Sequence, residues 1–285
     1  MQKAVLFFML CLLVASIGFS QTGKVFDQLS HTSKILKSER NFAIYLPPDY
    51  ETSQRSYPVL YLLHGMGDDQ TGWIQFGEVK RITDKAIKDG KATPMIIVMP
   101  DANTGQRGYF NRGEWKYEDF FFDEFMPYIE KTYRVKQEKR CRAISGLSMG
   151  GGGTFMYALH RPDLFSSACP LSAAVGMLPK DNSKIAEFAK QAKVTEEEMR
   201  NYFKRHSAIS LIENLPAKTI KSVRWYIDCG DDDFLFEGNS LVHIAMMKKK
   251  IPHEYRVRDG AHTWTYWRES LPNVLEFVSD AFHQY

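Results

Sequence analysis

The stretch GLSMG at residues 146–150 sets Ser148 between two glycines, directly after the apolar run CRAI at residues 141–144. A Gly-x-Ser-x-Gly pattern between a strand and a helix is typical of a nucleophile elbow, a sharp turn that lifts a serine hydroxyl above a parallel sheet. Such a turn needs small residues because the serine backbone is strained and its neighbours are crowded. The glycines continue to Gly153, and residues 154–160 have a helical pattern. The stretch therefore predicts a nucleophilic serine; an ordinary Gly/Ser loop is the alternative.

The rest of the chain alternates between strand and helix patterns. Continuous apolar runs at residues 58–63 and 95–99 suit parallel strands that are buried on both faces. Residues 41–46 alternate instead, which predicts a strand exposed on one side. Further strands are expected at residues 143–145, 167–171, 223–229 and 255–257, and helices at residues 78–89, 119–133 and around 274–282. This order predicts an α/β fold with a mostly parallel central sheet and helices on both faces.

One helical and charged segment, from residue 174 to about residue 221, interrupts the alternation. Within it, Thr195 and Glu198 have the spacing of a capping box, which predicts the start of a helix. An insertion at this point would lie over the carboxyl ends of the strands, near the active site. It is expected either to shape a substrate pocket as a cap or to pack on the body of the domain, since such connections carry function but also vary freely.

Residues 1–20 have the composition of a cleavable secretory signal peptide. Lys3 precedes an apolar stretch from residue 4 to residue 17, and small residues lead to an expected cleavage site after Ser20. A membrane anchor is the alternative, but the apolar stretch is short for a span. We therefore expect a secreted or periplasmic protein with no stable membrane anchor, in which residues 21–285 form a single α/β domain.

Composition and cysteine content argue against several other classes of protein. The formal net charge is +3, from 37 Lys and Arg against 34 Asp and Glu, and no dense basic stripe indicates binding to nucleic acid. Cys141, Cys169 and Cys229 remain after processing, and each lies in or beside a short apolar run, so buried free thiols are expected. No spacing suggests a zinc site. We expect no metal and no cofactor, and the sequence leaves the oligomeric state open.

A serine nucleophile needs a base within hydrogen-bond reach, and that base needs an orienting partner. After a nucleophile elbow the chain order is serine, acid, histidine. His262 is the best candidate for the base because it lies between the last predicted strand and the last predicted helix. Three consecutive carboxylates, residues 231–233, follow the preceding predicted strand, and one of them should accept a hydrogen bond from His262. The spacing leaves the choice among the three open.

Two backbone N–H groups are expected to form an oxyanion hole. One belongs to Met149, the residue after the nucleophile, and the second to the loop HGMG at residues 64–67, where Met66 is the best candidate. Removing one such donor typically costs about 3–4 kcal/mol in the barrier. His64 could be mistaken for a base, but we expect it to hold this loop by hydrogen bonds.

Three motifs together resemble the esterase-D-like branch of the α/β-hydrolases. They are YLLHGMG at residues 61–67 with Trp73 shortly after, GLSMGG at residues 146–151, and HTW at residues 262–264 followed by Trp267. The branch includes feruloyl and acetylxylan esterases of carbohydrate esterase family 1, S-formylglutathione hydrolases and mycolyltransferases. The likeness runs from about residue 41 to the C-terminus, and its motifs are specific for the branch but not for a substrate.

The resemblance implies a role for each matching position. Ser148 matches the nucleophile, His262 the base and Asp233 the acid, while the two oxyanion positions fall on Met66 and Met149. It implies no cofactor. The long helical segment after the elbow is less typical of the smallest feruloyl esterases, so the resemblance does not define the shape of the acyl pocket.

Aromatic residues give a hint about the substrate. Trp73 and Trp264 flank two of the predicted catalytic loops, and Trp115 lies in an aromatic-rich loop at residues 109–117. Aromatic faces suit a sugar ring or a phenolic acyl group, since both bury apolar area and leave polar edges free. These three tryptophans are therefore expected to bind substrate, with plain packing as the alternative for each.

The expected function is that of a serine carboxylic-ester hydrolase that removes feruloyl or acetyl groups from a plant polysaccharide such as xylan. Its partner would be an acylated oligosaccharide or polysaccharide, or another small ester. An acyltransferase that moves the acyl group to a sugar would use the same residues. A formylglutathione thioesterase is usually cytosolic, which disagrees with a signal peptide. A binding protein on a hydrolase scaffold, without turnover, is the remaining alternative.

Overall fold

The computed structural model describes residues 22–102, 108–176 and 182–283, and the predicted signal peptide lies outside them. The strands are β1 (Lys24–Ser33), β2 (Ser38–Leu46), β3 (Val59–Leu63), β4 (Ile96–Pro100), β5 (Asn111–Arg112), β6 (Trp115–Lys116), β7 (Arg142–Leu147), β8 (Ser167–Leu171), β9 (Arg224–Gly230) and β10 (Glu254–Arg258). The helices are α1 (Gly72–Gln75), α2 (Val79–Lys88), α3 (Tyr117–Asp119), α4 (Met126–Thr132), α5 (Met149–His160), α6 (Asn182–Ala192), α7 (Glu196–Arg205), α8 (Ala208–Asn214), α9 (Ala217–Ile220), α10 (Phe236–Lys248) and α11 (Trp264–His283).

Eight of these strands form one sheet in the order β1-β2-β4-β3-β7-β8-β9-β10. The six strands from β4 to β10 in that order run parallel to one another. At one edge of the sheet β2 pairs antiparallel with β4, and β1 pairs antiparallel with β2. Helices cover both faces, as expected from the alternation of strand and helix patterns. The predicted α/β class, with a mostly parallel central sheet between two layers of helices, is confirmed.

Two hydrophobic cores lie on opposite faces of the sheet. One contains apolar side chains of α4, α5 and α10, and the other contains those of α2 and α11. The strands between them are buried on both sides, so β3, β4 and β7 have no exposed residue. The carboxyl ends of the parallel strands meet at one edge of this sheet, where ligands bind in open α/β folds.

The structure differs from the sequence-based expectation at the antiparallel edge. In β2 the residues from Phe42 to Leu46 are all buried, whereas one exposed face was expected. The second face is covered because Tyr45 packs into the core that α2 and α11 form. The adjoining strand β1 was not predicted, since its side chains alternate between exposed and partly buried and carry little apolar signal.

A second difference concerns the predicted helix at residues 119–133. It is divided into α3, a π-helical segment at Phe120–Phe125, and α4. Pro127 stands at the start of α4 and lacks the N–H that a continuous α-helix would use, so the hydrogen-bond register changes before it.

Four helices, α6 to α9, lie between β8 and β9, where the sequence indicated a helical insertion. The predicted capping box at the start of α7 is confirmed, because Thr195 and Glu198 bond each other's backbone N–H groups. Ile185, Ala189 and Met199 form a small apolar cluster of their own within this segment. Across the described ranges, no helix is long and apolar enough to span a bilayer.

Candidate active site

Ser148 stands at the turn between β7 and α5, with φ 55° and ψ −115°. Such a backbone conformation costs a non-glycine residue about 1–3 kcal/mol and persists only where the surroundings enforce it. Here the Ser148 N–H donates to the carbonyl of Leu171 at 2.9 Å, and the Ser148 carbonyl accepts from the N–H groups of Gly152 at 3.0 Å and Ala174 at 2.9 Å. Three hydrogen bonds therefore hold the strained serine in the elbow geometry that the sequence predicts.

The glycines on either side of Ser148 are required by close backbone contacts. A Cβ on Gly146 would lie 2.7 Å from the Gly150 carbonyl, and a Cβ on Gly150 would lie 2.6 Å from the carbonyl oxygens of Leu63 and His64. Real Cβ atoms do not approach backbone this closely, so any larger residue would push α5 away from β3. The glycine pattern thus sets how near the helix start comes to the neighbouring loop.

Ser148, His262 and Asp233 meet in one chain of hydrogen bonds. The Ser148 Oγ lies 2.9 Å from Nε2 of His262, and the Nδ1 of the same ring lies 2.8 Å from Oδ2 of Asp233. The three residues follow β7, β10 and β9, which are parallel strands ending at the same edge of the sheet. Ser148 and His262 are partly exposed, while the carboxylate of Asp233 is buried.

Of the three consecutive carboxylates, Asp233 is the one whose side chain contacts His262. Burial raises the pKa of Asp233, but hydrogen bonds from His262, from the Leu235 N–H and from Ser172 outweigh burial and lower the pKa overall. The carboxylate therefore stays ionised at neutral pH, as a partner for an imidazolium must.

The neighbouring aspartates hold the loops together. Asp231 accepts a hydrogen bond from the Gly260 N–H at 3.1 Å, and the Asp232 N–H donates to the Gly260 carbonyl at 3.1 Å. With Asp259 they bring carboxylate oxygens within 4.8 Å of one another, and all three side chains are exposed. Exposed acidic groups of this kind are common without a bound ion, so we assign no metal role to them.

The two expected oxyanion positions lie beside Ser148. Met149 is the first residue of α5, where backbone N–H groups have no partner within the helix. Met66 follows Gly65, whose Cβ position is 3.6 Å from the Cβ of Ser148, and its own side chain is 76% exposed. Both loops therefore bring backbone close to the serine, in the positions from which the sequence predicts donors.

His64 is held by hydrogen bonds that exclude it as a base. Its Nδ1 lies 2.9 Å from the Gly65 carbonyl, which can only accept, and its Nε2 accepts from the Ala102 N–H at 3.1 Å. The neutral tautomer with the proton on Nδ1 satisfies both contacts. Burial is the main cause that lowers the pKa of His64, which keeps the ring neutral. As expected from the sequence, His64 ties the loop of Gly65 and Met66 to the end of β4.

Two of the three tryptophans named from the sequence are enclosed by protein. Trp73 is 1% exposed and its indole N–H donates to the Leu63 carbonyl at 3.0 Å. Trp115 is 5% exposed and donates to the Gly108 carbonyl at 2.7 Å. Direct contact with substrate does not fit these two side chains, because their rings are used in packing. Trp264 is partly exposed and is the one that a ligand can reach in this structure.

Phe234 is a site residue that sequence reasoning did not select. Its ring is 75% exposed, and its centroid lies 4.5 Å from that of the His262 ring. The available signal was its position directly after Asp233, in a run that also contains Leu235 and Phe236. The exposed ring therefore forms an apolar wall beside His262, which an apolar part of a ligand can cover.

Comparisons with known proteins identify the family of this chain. The family model described as "Putative esterase" matches residues 33–278. An endo-1,4-beta-xylanase/feruloyl esterase of Xylanibacter ruminicola is 40% identical over 129 residues, which are 43% of this chain but only 18% of that protein. An acetyl esterase of Caldicellulosiruptor saccharolyticus is 24% identical over 280 residues, or 88% of this chain and 97% of that protein.

A solved structure of a ferulic acid esterase is similar over nearly the whole described fold. It is 39% identical, with a TM-score of 0.80, and the match covers 92% of this chain and 99% of that one. The resemblance inferred from the three sequence motifs is therefore confirmed. The chain belongs to the esterase family of the α/β-hydrolases and is a serine carboxylic-ester hydrolase.

Proposed function

We propose that Ser148, His262 and Asp233 are the catalytic triad of this esterase. Ser148 Oγ attacks the ester carbonyl carbon while Nε2 of His262 takes its proton, and the Asp233 carboxylate stabilises the imidazolium that forms. The observation that carries this assignment is the continuous chain of contacts, 2.9 Å from serine to histidine and 2.8 Å from histidine to aspartate.

The reaction then proceeds through an acyl-enzyme. In this proposal the backbone N–H groups of Met66 and Met149 donate to the tetrahedral oxyanion and stabilise its developing charge. The bond from the carbonyl carbon to the alcohol oxygen breaks, and the alcohol leaves with the proton from His262. Water then attacks the acyl carbon of the Ser148 ester while Nε2 of His262 takes a proton from the water. The bond to the Ser148 oxygen breaks, and this oxygen takes the proton back from His262, which releases the carboxylic acid and the free serine.

We propose further that the acyl group is a feruloyl group on a plant polysaccharide. Similarity at 39–40% identity to proteins named for feruloyl esterase activity supports this choice. The surfaces beside the site support it as well, since Phe234 and Met66 are both more than two-thirds exposed and apolar. A planar phenolic ring can bury both surfaces, whereas an acetyl group is too small to cover them.

The test combines labelling with a substrate panel. A fluorophosphonate probe should label Ser148 in the wild type and fail to label Ser148→Ala. Hydrolysis of methyl ferulate should exceed that of acetylated xylan and of p-nitrophenyl acetate in kcat/KM. If Ser148 is labelled but the acetyl esters are hydrolysed with the higher kcat/KM, the triad assignment stands and the feruloyl assignment is refuted. If Ser148 is not labelled, both assignments are refuted.

We also propose that the protein is exported after removal of its first residues, because residues 1–20 have the pattern of a signal peptide. N-terminal sequencing of protein recovered outside the cytoplasm should begin at Gln21. Recovery of an intact Met1 in that fraction, or of all enzyme in the cytoplasm, would contradict this proposal.

A further inference from the structure

Ser172, the residue after β8, is a buried hydroxyl with an unusual backbone. It is 0% exposed and has φ 43°, a conformation that non-glycine residues adopt only where the surroundings enforce it. Its N–H donates to the carbonyl of Asp228 at 2.7 Å, which fixes the serine to β9. Its side chain is therefore held in place beside the loop that carries Asp233.

Trp267, on the first turn of α11, contacts both Ser172 and the predicted catalytic base. Its indole N–H donates to the Ser172 Oγ at 3.0 Å, and the residue is only 5% exposed. Its ring stands perpendicular to the ring of His262, with centroids 4.9 Å apart and an interplanar angle of 89°. On another side it packs edge-on against Trp264 at 5.3 Å. The imidazole is thus contacted by the Trp267 ring as well as through Nδ1.

The hydrogen bond from Trp267 decides where the Ser172 proton points. An indole nitrogen can only donate, so Ser172 Oγ is the acceptor in this pair and its single proton is free for another group. Two acceptors lie nearby, the Asp233 carboxylate and the Cys229 thiol. A carboxylate accepts a hydrogen bond far more strongly than a thiol, so we expect the Ser172 proton to favour Asp233.

We propose that Ser172 and Trp267 are a positioning pair for the triad: Trp267 orients the Ser172 hydroxyl toward Asp233 and supports the ring of His262. The hydrogen-bond chain then runs from Trp267 through Ser172, Asp233 and His262 to Ser148. Neither residue touches substrate. The inference rests on the proposed function, because it concerns how the acid and the base of that triad are held.

The experiment compares Ser172→Ala, Trp267→Phe and the double variant with two matched controls. Ser279→Ala removes a buried hydroxyl of the same helix as Trp267, whose partners are the Leu275 carbonyl and the Thr93 N–H. Trp225→Phe removes an indole bond to the Ile220 carbonyl at the opposite end of β9 from Asp233. Each control deletes the same chemical group away from the triad, so loss of packing alone would affect controls and test variants equally.

Each single test variant should lower kcat about tenfold and change KM less than about twofold. Ser172→Ala removes the proposed hydrogen bond to the Asp233 carboxylate, and Trp267→Phe frees the hydroxyl that makes this bond. The double variant should lose no more than the more damaging single one, since both changes break the same chain. The downfield proton resonance of the His262 Nδ1–H should shift in both single variants and stay in place in both controls.

Equal kcat in test and control variants, or an unmoved His262 resonance, would overturn the inference. A double variant whose loss in kcat equals the product of the two single losses would also overturn the inference. If Trp267→Phe does not fold, Ser172→Ala and the resonance still decide, and Ser172→Gly, which relieves the positive φ, should show the same loss in kcat. Absence of fluorophosphonate labelling in the wild type would instead refute the proposed function, so the two failures are distinguishable.

Discussion

Two buried aspartates, Asp228 and Asp233, lie on the same strand and the loop that follows it, yet their partners differ. Asp228 is 0% exposed, accepts hydrogen bonds from the hydroxyls of Tyr226 and Tyr266, and forms an ion pair with Arg258 at 3.1 Å. Asp233 accepts from the Leu235 N–H and from the ring of His262. The first carboxylate faces a group that is always charged, and the second faces a group that can gain and lose a proton.

The difference explains how one strand can support both stability and chemistry. An arginine keeps its charge over the whole range in which proteins are folded, so Arg258 is a permanent counter-charge for the buried Asp228 carboxylate. An imidazole changes its charge during the reaction, so the Asp233 contact is strongest only when His262 carries the transferred proton. We therefore expect changes at Asp233 to affect turnover, and changes at Asp228 to affect the free energy of unfolding.

The largest effect should come from the nucleophile, with both aspartates left intact. Ser148→Ala should lower kcat by about six orders of magnitude, because a triad without its nucleophile retains only the contribution of binding and the oxyanion hole. The free energy of unfolding should change little, since the three backbone bonds that hold residue 148 do not involve its side chain. Turnover of methyl ferulate and urea denaturation measure the two quantities. Surviving turnover would place the nucleophile elsewhere.

Asp233→Asn should lower kcat by about four orders of magnitude, because an amide cannot hold the required tautomer of His262 or stabilise the imidazolium. Asp231→Asn is the matched control, since Asp231 lies in the same loop but is exposed and bonds only the Gly260 N–H. Its kcat should stay within a few-fold of the wild type. Equal losses in the two variants would show that the loop, and not the Asp233 carboxylate, matters.

This pair of aspartates also shows what the sequence could and could not establish. The glycines around Ser148 follow from local geometry, so a short motif is sufficient to predict the turn. His262 was predicted from its place between the last predicted strand and the last predicted helix. The choice of Asp233 needed a family resemblance, because the loop geometry that turns one of three adjacent carboxylates toward His262 depends on backbone bonds to Gly260. Asp228 was not singled out at all, since two of its partners, Arg258 and Tyr266, come from distant segments.

Burial was the other quantity that pattern alone could not supply. The strand at residues 41–46 was expected to be half-exposed, but long-range packing covers its second face. Trp73 and Trp115 were expected at the substrate, but their indole groups are bonded to backbone inside the fold. Phe234 was overlooked although it is exposed beside His262. In each case, the number of neighbours is set by elements far away in sequence.

Asp228→Asn should produce the opposite result from Asp233→Asn. It should lower the free energy of unfolding by about 3 kcal/mol, the low end for a broken buried pair, because Arg258 is 31% exposed and can regain some hydration. The kcat of the folded variant should stay within a few-fold of the wild type. Asp280→Asn is the control, an exposed partner of Arg224 whose loss should cost less than about 1 kcal/mol. A large loss of kcat with unchanged stability would contradict the proposed separation.

The loop of Asp233 also carries Phe234, and replacing it should change selectivity more than catalysis. Phe234→Ala should lower kcat/KM for methyl ferulate about tenfold, as expected for losing apolar contact with an aromatic ring, and leave p-nitrophenyl acetate within about twofold. Phe26→Ala is the control, since Phe26 is also exposed but lies on β1, the edge strand of the sheet. Equal loss on both esters would mean that Phe234 supports His262 and does not contact the acyl group.

The smallest expected effect is a difference in how stability depends on pH. The pKa of Asp233 is lower in the folded protein than its ordinary value of 3.8, since its hydrogen bonds outweigh burial. A depressed pKa contributes stability above the unfolded value, and that contribution is lost as the pH falls through the folded value. The wild type should therefore lose stability relative to Asp233→Asn between about pH 5 and pH 2, measured by urea denaturation. Asp231→Asn should follow the wild type, and parallel curves for all three proteins would show that the Asp233 contact contributes nothing to folding.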